Sequence, residues 1–438
     1  MHHFRRAVSL AAVLALPLTF AAAPLDRPSE DLRESYELLT DTYYAKVAPQ
    51  TIMDGAREAL SDAARKHHLR VTLPDLHDEG SSARNVSEIA SAIAMVQSQT
   101  HEPGVDLTYD VIQAMAKSLK DPYTAFFNPD EFRKFNSVLD PEKISGIGVL
   151  TEPDTATKLV RVYYVVPGTP AERAGLQSGD LIEGIDGKPT RNLSMDDARD
   201  LLRGEAGSSV QISVQRDGRD LAPMSIVRSE VQPPSVIYRM LPQHVAYIWI
   251  MEFGRETPQE FAVALERAQR ADVHAYVIDL RNDGGGYVTS ALDISSKFVS
   301  GDPLLTIEQR GSQNVTVDAE GRPVPARPMA LLVNGGTASA SEITAGALQD
   351  DGVALLVGER TFGKGVMQSL TQLPDGAAIK ITTAHYRTPK NRDINLKGIQ
   401  PDYPVVENKD ARFGEVDRDA QLQAALTILS KKIAQVRT

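Results

Sequence analysis

A pair of serines stands among small residues in the stretch VNGGTASASEITAGALQD, residues 333–350, just before a helix-like pattern. A serine at a helix start is commonly an N-cap, and Ser339 followed three residues later by Glu342 fits a capping box. The same position suits a nucleophile, because small neighbours leave a hydroxyl exposed and helix-start amides can stabilise an oxyanion. On this stretch alone both interpretations stay open.

Two other stretches carry residues of chemical interest. DLRNDGGG places three consecutive glycines, residues 284–286, directly after a strand pattern, where backbone amides can approach a ligand closely. GERTFGKGVMQ places Lys364 between two glycines, with Gln368 four residues later. This is not a phosphate-binding loop, because Gly365 stands where that motif requires Ser or Thr.

The elements that must position these residues follow from composition and periodicity. A chain of 438 residues with 42% hydrophobic residues predicts two or three domains. Three- and four-residue spacing of apolar residues predicts an N-terminal helical region, 24–143. Short β-rich runs with Gly and Asp predict a compact module, 144–231, and alternating strand and helix patterns predict an α/β domain, 232–408, before a C-terminal helix, 409–438.

Charge and cysteine content exclude several classes of function. The formal charge of −11 argues against a nucleic-acid partner, because phosphate binding needs clustered Lys and Arg. The absence of Cys removes disulfides, a thiol nucleophile and a lipidated cysteine anchor. His67, His68 and His77 surround a polar stretch, but no carboxylate or cysteine completes a metal-ligand set there, so solvated loop histidines are favoured. No metal or organic cofactor is expected.

The first residues have the pattern of a secretory leader. Arg5 and Arg6 precede an apolar run, 7–20, and small residues, 21–23, which predicts a signal peptide over residues 1–23 and export to the periplasm or extracellular side. An uncleaved anchor stays open, and membrane contact is expected only if the leader is retained.

The module at 144–231 resembles a PDZ domain of the circularly permuted bacterial kind. The resemblance rests on SGIGVL, LVRVYYVV and PGTPAERAGLQSGDLIEGIDG in that order. PDZ domains bind an extended peptide as an added strand and hold its free carboxylate with backbone amides of a Gly-containing loop. The resemblance implies that Gly146, Ile147, Gly148 and Val149 form this loop.

Together these stretches, with DPYTAFFNPDEF and ITTAHYRTPKNRDINLKGIQPDYPV, resemble the carboxyl-terminal processing peptidases, which are Ser-Lys peptidases with an embedded PDZ domain. The resemblance implies an α/β protease core of the ClpP/crotonase-like kind. It maps the nucleophile onto Ser339 and the general base onto Lys364, 25 residues later, with Gln368 assisting. It also implies the oxyanion donors, which are backbone amides of Gly285, Gly286 and Ala340. The long stretch before DPYT, about 69–106, departs from the expected short helical joint.

The implied chemistry needs a neutral lysine. A serine hydroxyl is a poor nucleophile until a base removes its proton, and neither His274 nor His385 stands in a Ser-His-Asp context. Lowering the lysine pKa from about 10.4 to about 7 requires roughly 4 to 5 kcal/mol, which burial can supply. Flanking glycines would let Lys364 enter a tight pocket, and Gln368 could orient its amine.

The expected function is an exported endopeptidase for protein or peptide substrates with free apolar C-termini, with an adaptor protein as a possible partner. The PDZ domain could deliver substrates or block the site when empty. Two alternatives need no such dyad: a crotonase-like acyl enzyme and a non-catalytic PDZ scaffold of the cell envelope.

Overall fold

The computed structural model describes residues 27–100, 106–408 and 414–436. The signal peptide expected at residues 1–23 lies outside these described residues. Within them, no helix has both the length and the apolar character needed to cross a membrane.

The N-terminal region is a group of helices packed against a small sheet. Its elements are α1 (Arg27–Asp41), α2 (Pro49–Lys66), α3 (Ser82–Gln97), α4 (Thr108–Ser118), β1 (Ala125–Phe127) and α5 (Pro129–Leu139). Apolar residues at helical spacing, such as Ile52, Met53 and Leu60 on α2, are buried in a core that also contains Phe126 of β1. The helix α5 begins at a capping box formed by Asn128 and Glu131.

The stretch interpreted as a linker between α2 and α3 is packed onto these helices. Leu76 is buried in the helical core, and its carbonyl oxygen accepts a hydrogen bond from the Gln50 side chain at 2.9 Å. The backbone here is extended because its polar groups bond to helix side chains instead of to one another. The long connection therefore forms part of the helical region.

The PDZ-like module has its own core. Its elements are β2 (Ile144–Gly146), β3 (Val149–Pro153), β4 (Val160–Val165), α6 (Pro170–Arg173), β5 (Leu181–Ile185), β6 (Lys188–Pro189), α7 (Met195–Leu202), β7 (Ser209–Arg216), β8 (Arg219–Asp220), β9 (Met224–Val227) and β10 (Ser229–Val231). The main sheet has the order β3-β4-β5-β7-β8, with β6 on β5 and β9 on β7. The entering strand β2 and the leaving strand β10 pair with each other.

The third region alternates strands and helices as expected. Its elements are β11 (Val236–Leu241), β12 (Val245–Ile250), α8 (Thr257–Arg270), β13 (Ala275–Asp279), α9 (Val288–Ser295), β14 (Pro303–Gln309), β15 (Val315–Asp318), β16 (Met329–Val333), α10 (Ala340–Asp350), β17 (Leu355–Gly358), β18 (Val366–Gln372), β19 (Ala378–Arg387), β20 (Tyr403–Pro404) and α11 (Ala420–Val436). A six-stranded sheet has the order β11-β12-β13-β16-β17-β20, parallel from β12 onward.

This sheet is covered on both faces, which explains its continuous apolar strands. Every residue of β13 and β16 is buried. Alternate residues point to opposite faces: Tyr276 and Ile278 pack with α8, α9 and α10, whereas Ala275 and Val277 pack with α11.

A second sheet, β1-β19-β14-β15 with β18 also paired to β19, links the helical region to the α/β core. Ile379 and Ile381 of β19 belong to the core of the N-terminal helices, whereas Tyr386 near its end belongs to the core of the α/β domain. The strand β19 therefore fixes the DPYT turn before β1 relative to the ends of the parallel strands.

Candidate active site

Three loops meet at one edge of the parallel sheet. They follow β13, β16 and β17, which are neighbours, so their carboxyl ends lie side by side. The first two loops are joined by Asn282 and Asn334, whose side chains bond each other at 3.0 Å. The third is joined to the second by the Phe362 amide, which donates to the Thr337 carbonyl at 3.0 Å. These loops contain the glycine run, Ser339 and Lys364.

Ser339 occupies a strained turn between β16 and α10. Its φ of 57° and ψ of −116° are unusual for a residue with a side chain. The glycine run approaches this turn so closely that a Cβ on Gly285 would lie 2.9 Å from the Ser339 Cβ and 2.6 Å from the Ala338 carbonyl oxygen. A glycine is therefore needed opposite the serine.

Asp283 ties the glycine run to the serine turn. Its carbonyl oxygen accepts hydrogen bonds from the Ala338 amide and the Ser341 hydroxyl, both at 3.0 Å. Its carboxyl oxygen accepts the Gly285 amide at 2.8 Å. Burial raises the pKa of this carboxyl well above its usual range, and the hydrogen bond from the Gly285 amide opposes that rise.

The amide of Gly285 is thus engaged with Asp283, whereas those of Gly286 and Ala340 donate to no residue within 106–408. Gly286 lies against the segment that follows β12, because a Cβ on Gly286 would be 2.3 Å from the Phe253 carbonyl oxygen. Of the three amides expected to stabilise an oxyanion, two have no partner among the described residues and one is bonded.

Glu342 connects the serine turn to the lysine loop. Its fully buried carboxylate accepts the amide of Ser339 at 3.0 Å and that of Lys364 at 2.8 Å. It also accepts the Gly363 amide at 2.8 Å and the Thr361 hydroxyl at 2.5 Å. One carboxylate therefore holds the backbones of both proposed catalytic residues.

Tyr386 makes a second connection between the same two backbones. Its hydroxyl lies 2.8 Å from the Lys364 carbonyl oxygen and 3.2 Å from that of Ser339. The ring is buried, and burial raises the pKa of its hydroxyl far above the usual range, so it remains a donor. Glu342 and Tyr386 together bind amides and carbonyls at Ser339 and Lys364.

The amine of Lys364 is largely shielded from water. Burial lowers its pKa from 10.5 to about 8, assisted by the positive charge of Lys380 and opposed by the carboxylates of Glu342 and Asp121. Its Nζ lies 5.1 Å from the centre of the Tyr123 ring, in the DPYT turn. The flanking glycines allow loop 394–398 to approach, since a Cβ on Gly363 would be 2.7 Å from the Gly398 amide.

Gln368 lies on β18 beside a register irregularity, opposite Thr382 of β19. Its side-chain Nε2 is buried and has no hydrogen-bond partner among the described residues. Within 106–408 the Ser339 hydroxyl and the Lys364 amine do not bond to each other. The described arrangement therefore holds the two backbones in place while the side chains of the proposed dyad remain apart.

The segment 146–149, expected to be one loop, lines a groove in the PDZ module, but Gly146 ends β2 and Val149 begins β3, so only Ile147 and Gly148 connect the strands. The groove, of about 400 Å³, lies between the loop and α7, and its apolar walls include Ile147, Met195 and Leu202. Arg199 and Arg203 are the charged residues among the described lining, and none of that lining is acidic. The charged side chains of this lining are therefore opposite in sign to the net charge of the chain.

The comparisons with known proteins agree with this architecture. The model of peptidase family S41 matches residues 244–405, and a PDZ-domain model matches residues 161–216. A carboxyl-terminal-processing protease from Picosynechococcus is 36% identical over 339 residues, covering 76% of this chain and 81% of the relative. The carboxy-terminal processing protease CtpA of Bacillus subtilis is 30% identical, covering 74% and 69%.

Among solved structures, the photosystem II D1 C-terminal processing protease is 28% identical, covers 86% of this chain and 97% of its own, and gives a TM-score of 0.46. The chain belongs to the carboxyl-terminal-processing proteases of peptidase family S41. It is a serine-type hydrolase with a PDZ domain, as the sequence predicted. This membership decides against the crotonase-like enzyme and the non-catalytic scaffold.

Sequence reasoning missed three residues that shape the site: Asp283, Glu342 as a bridge, and Tyr386. Glu342 was noticed only as part of a capping box, and Tyr386 was part of the ITTAHYR motif without a role. The available signal was the occurrence of polar residues inside otherwise apolar or small-residue motifs, which suggests buried hydrogen-bonding partners.

Proposed function

We propose that the chain cleaves peptide bonds with Ser339 as nucleophile and Lys364 as general base. The observation that carries this proposal is the pair of contacts made by Glu342, which binds the amides of both residues. Glu342 is a buried carboxylate that joins a strained serine to a lysine with a pKa of about 8. This arrangement supports the assignment of Ser339 and Lys364 as a catalytic pair.

In the proposed reaction, neutral Lys364 takes the proton of the Ser339 hydroxyl as its oxygen attacks the substrate carbonyl carbon. The amides of Gly286 and Ala340 donate to the oxyanion, and Asp283 holds the neighbouring Gly285 amide away from it. The lysine then gives its proton to the leaving amine. Water attacks the acyl-enzyme, again with Lys364 as base, and releases the new carboxyl end.

The separation of the two side chains supports a role for Gln368. A buried amide without a partner is costly, so its Nε2 is available to bond a group that arrives when substrate binds. Gln368 then orients the lysine during the reaction. Closure of the dyad on substrate binding fits an enzyme that must spare folded proteins.

The substrate class follows from the PDZ groove. A free apolar C-terminus would place its side chain among Ile147, Met195 and Leu202, and its carboxylate at the amides of residues 146–149. Arg203 supports this position of the carboxylate, because its side chain lies close to Gly146: a Cβ built on Gly146 would be 4.0 Å from the Arg203 Cγ. Export of the mature chain by the leader at residues 1–23 is part of the same proposal, and an adaptor protein could present substrates.

The test uses the mature chain and an unfolded protein with a free apolar C-terminus. Ser339→Ala and Lys364→Ala should each reduce turnover by at least about a thousandfold, because members of a catalytic unit fail together. Gln368→Ala should reduce it less. The products are identified by mass spectrometry.

Matched controls are Ser312→Ala and Lys397→Ala, which change the same residue types at exposed positions and should keep full turnover. Circular dichroism checks that each variant is folded. Wild-type turnover by a folded Ser339→Ala or Lys364→Ala protein would refute the dyad. Sequencing the mature N-terminus tests export, and an intact Met1 on the active protein would refute leader removal.

A further inference from the structure

A second lysine, half-buried, lies on β19. Lys380, the third residue of this strand, places its Nζ 5.1 Å from the centre of the Phe135 ring and 5.5 Å from that of Phe127. These two rings stack on each other at 4.9 Å. Aromatic faces stabilise the amine in its charged form while excluding water from it.

The strand register places Lys380 on the same face of the sheet as Gln368. Alternate residues of a strand share a face, so Lys380 and Thr382 lie on one side of β19. Gln368 stands opposite Thr382 on β18 and therefore shares this face. The Thr382 hydroxyl donates to Asp121 at 2.6 Å, which places a carboxylate on the same face.

The DPYT turn joins this group to Lys364. Asp121 also accepts the Thr124 hydroxyl at 2.7 Å and the Tyr123 amide at 3.0 Å. The ring of Tyr123 lies 5.1 Å from the Lys364 Nζ. The DPYT turn thus contains Asp121, and its Tyr123 ring lies beside Lys364. Lys380 pairs with Ala125, directly after the turn.

The ionisable groups around Lys364 come from three elements. The helix α10 contributes Glu342, the DPYT turn contributes Asp121 and Tyr123, and β19 contributes Lys380 and Tyr386. The tyrosines remain neutral because burial raises the pKa of both hydroxyls. The charges that act on the lysine are therefore two carboxylates and one other amine.

We propose that Lys380 and Asp121 tune the general base in opposite directions: the Lys380 cation disfavours protonation of Lys364, and the Asp121 carboxylate favours it. This rests on the proposed role of Lys364 as the base. Both are positioning residues in an electrostatic sense, since neither contacts the substrate in the proposed reaction.

The direction of each effect agrees with the environment of the two amines. After burial, the charge of Lys380 is the next largest cause that lowers the Lys364 pKa, whereas Asp121 raises it. Burial lowers the Lys380 pKa as well, and Asp121 opposes this. A unit charge about 10 Å away at an effective dielectric constant of about 20 shifts a pKa by roughly one unit.

The dependence of kcat/KM on pH tests the proposal. Neutral Lys364 is the active form, so activity rises with pH through its pKa. Lys380→Met should move this rise upward by roughly 0.5 to 1 unit and lower kcat/KM at pH 7 by about three- to tenfold, with little change on the high-pH plateau. Asp121→Asn, which keeps an acceptor oxygen, should move the rise downward. Lys380→Arg should restore the wild-type profile.

Unchanged profiles in both variants, or shifts in the same direction, would overturn the proposal. Lys397→Met is the matched control, because Lys397 is exposed and paired with Asp393. Thermal denaturation compares the folding of the variants. A loss of activity that is equal at every pH in Lys380→Met would indicate a structural role and also count against tuning.

A second measurement separates this proposal from the proposed function. In a Ser339→Ala background, the rate at which an amine-reactive reagent modifies Lys364 is followed across pH by peptide mass spectrometry. The Lys364 pKa should still move upward with Lys380→Met and downward with Asp121→Asn. If the Lys364 pKa is the same in all variants, the tuning is refuted whether or not Lys364 is catalytic. Full turnover by Lys364→Ala would refute the role of Lys364 as general base, and the pKa measurement would still stand.

Discussion

The catalytic junction, defined here as Asp283, Ser339, Glu342, Lys364 and Tyr386, differs in construction from the attachment of the PDZ module. The junction is held by hydrogen bonds from buried side chains to backbone groups on three adjacent loops. Each such bond is difficult to break, because a buried polar group without a partner costs about 1 to 3 kcal/mol. The junction is therefore expected to be rigid.

The PDZ module contacts the α/β domain partly through side chains that are not fully buried. Arg239 of β11 lies over the Tyr163 ring at 4.2 Å and donates to the Tyr163 carbonyl at 3.1 Å. Arg161 of β4 bonds Glu415 at 3.0 Å, with side chains 31% and 24% exposed. Contacts of this kind contribute little individually, so the module can shift while the junction stays intact.

Substrate selection and bond cleavage are therefore expected to respond to different substitutions. Changes in the junction should reduce kcat for every substrate. Changes in the peptide groove should alter only the preference for free C-termini. Changes in the attachment should have small effects on basal activity.

The largest effect is expected from Glu342→Gln. The new amide group would face backbone amides that need an acceptor, which should loosen both Ser339 and Lys364. We expect kcat to fall by about a hundredfold or more with a small change in KM, measured with a peptide substrate. Glu359→Gln, on the lysine loop, is the control; equal losses in the two variants would contradict the bridging role of Glu342.

An intermediate effect is expected from Arg203→Glu in the peptide groove. Reversing this charge should lower kcat/KM by about tenfold for a substrate with a free apolar C-terminus, because the carboxylate then meets an anion. The same substrate with an amidated end should be cleaved as before. Arg219→Glu, on the exposed β8, serves as control, and an equal loss with both substrates would show that Arg203 does not read the carboxylate.

The smallest effect is expected from breaking the Arg161–Glu415 contact that attaches the PDZ module. Arg161→Ala and Glu415→Gln should each change basal activity by less than about fivefold, since partly exposed ion pairs contribute about 0.2 to 1 kcal/mol. The double variant should behave like either single variant if the pair acts as a unit. Additive effects would show that the two residues act independently, and a hundredfold change would show that the attachment controls the junction.

Local patterns were sufficient for most of the fold. A strand directly precedes the glycine run, and a helix begins directly after Ser339, as the local patterns predicted. These elements are encoded by spacing within a few residues, which a sequence displays directly. The packing of the loop around Leu76 onto the helices was not predicted, because its contact with Gln50 is not local.

The sequence by itself nominated Ser339 and Lys364 by motif and spacing, and placed them in a peptidase of family S41. Only the tertiary structure brought Glu342 to the backbones of both Ser339 and Lys364, because these contacts join residues from separate elements. It also lowered the Lys364 pKa to about 8, in the direction that a general base requires. The physical reason is that a pKa depends on burial and on neighbouring charges, here two carboxylates and an amine, which the folded chain assembles.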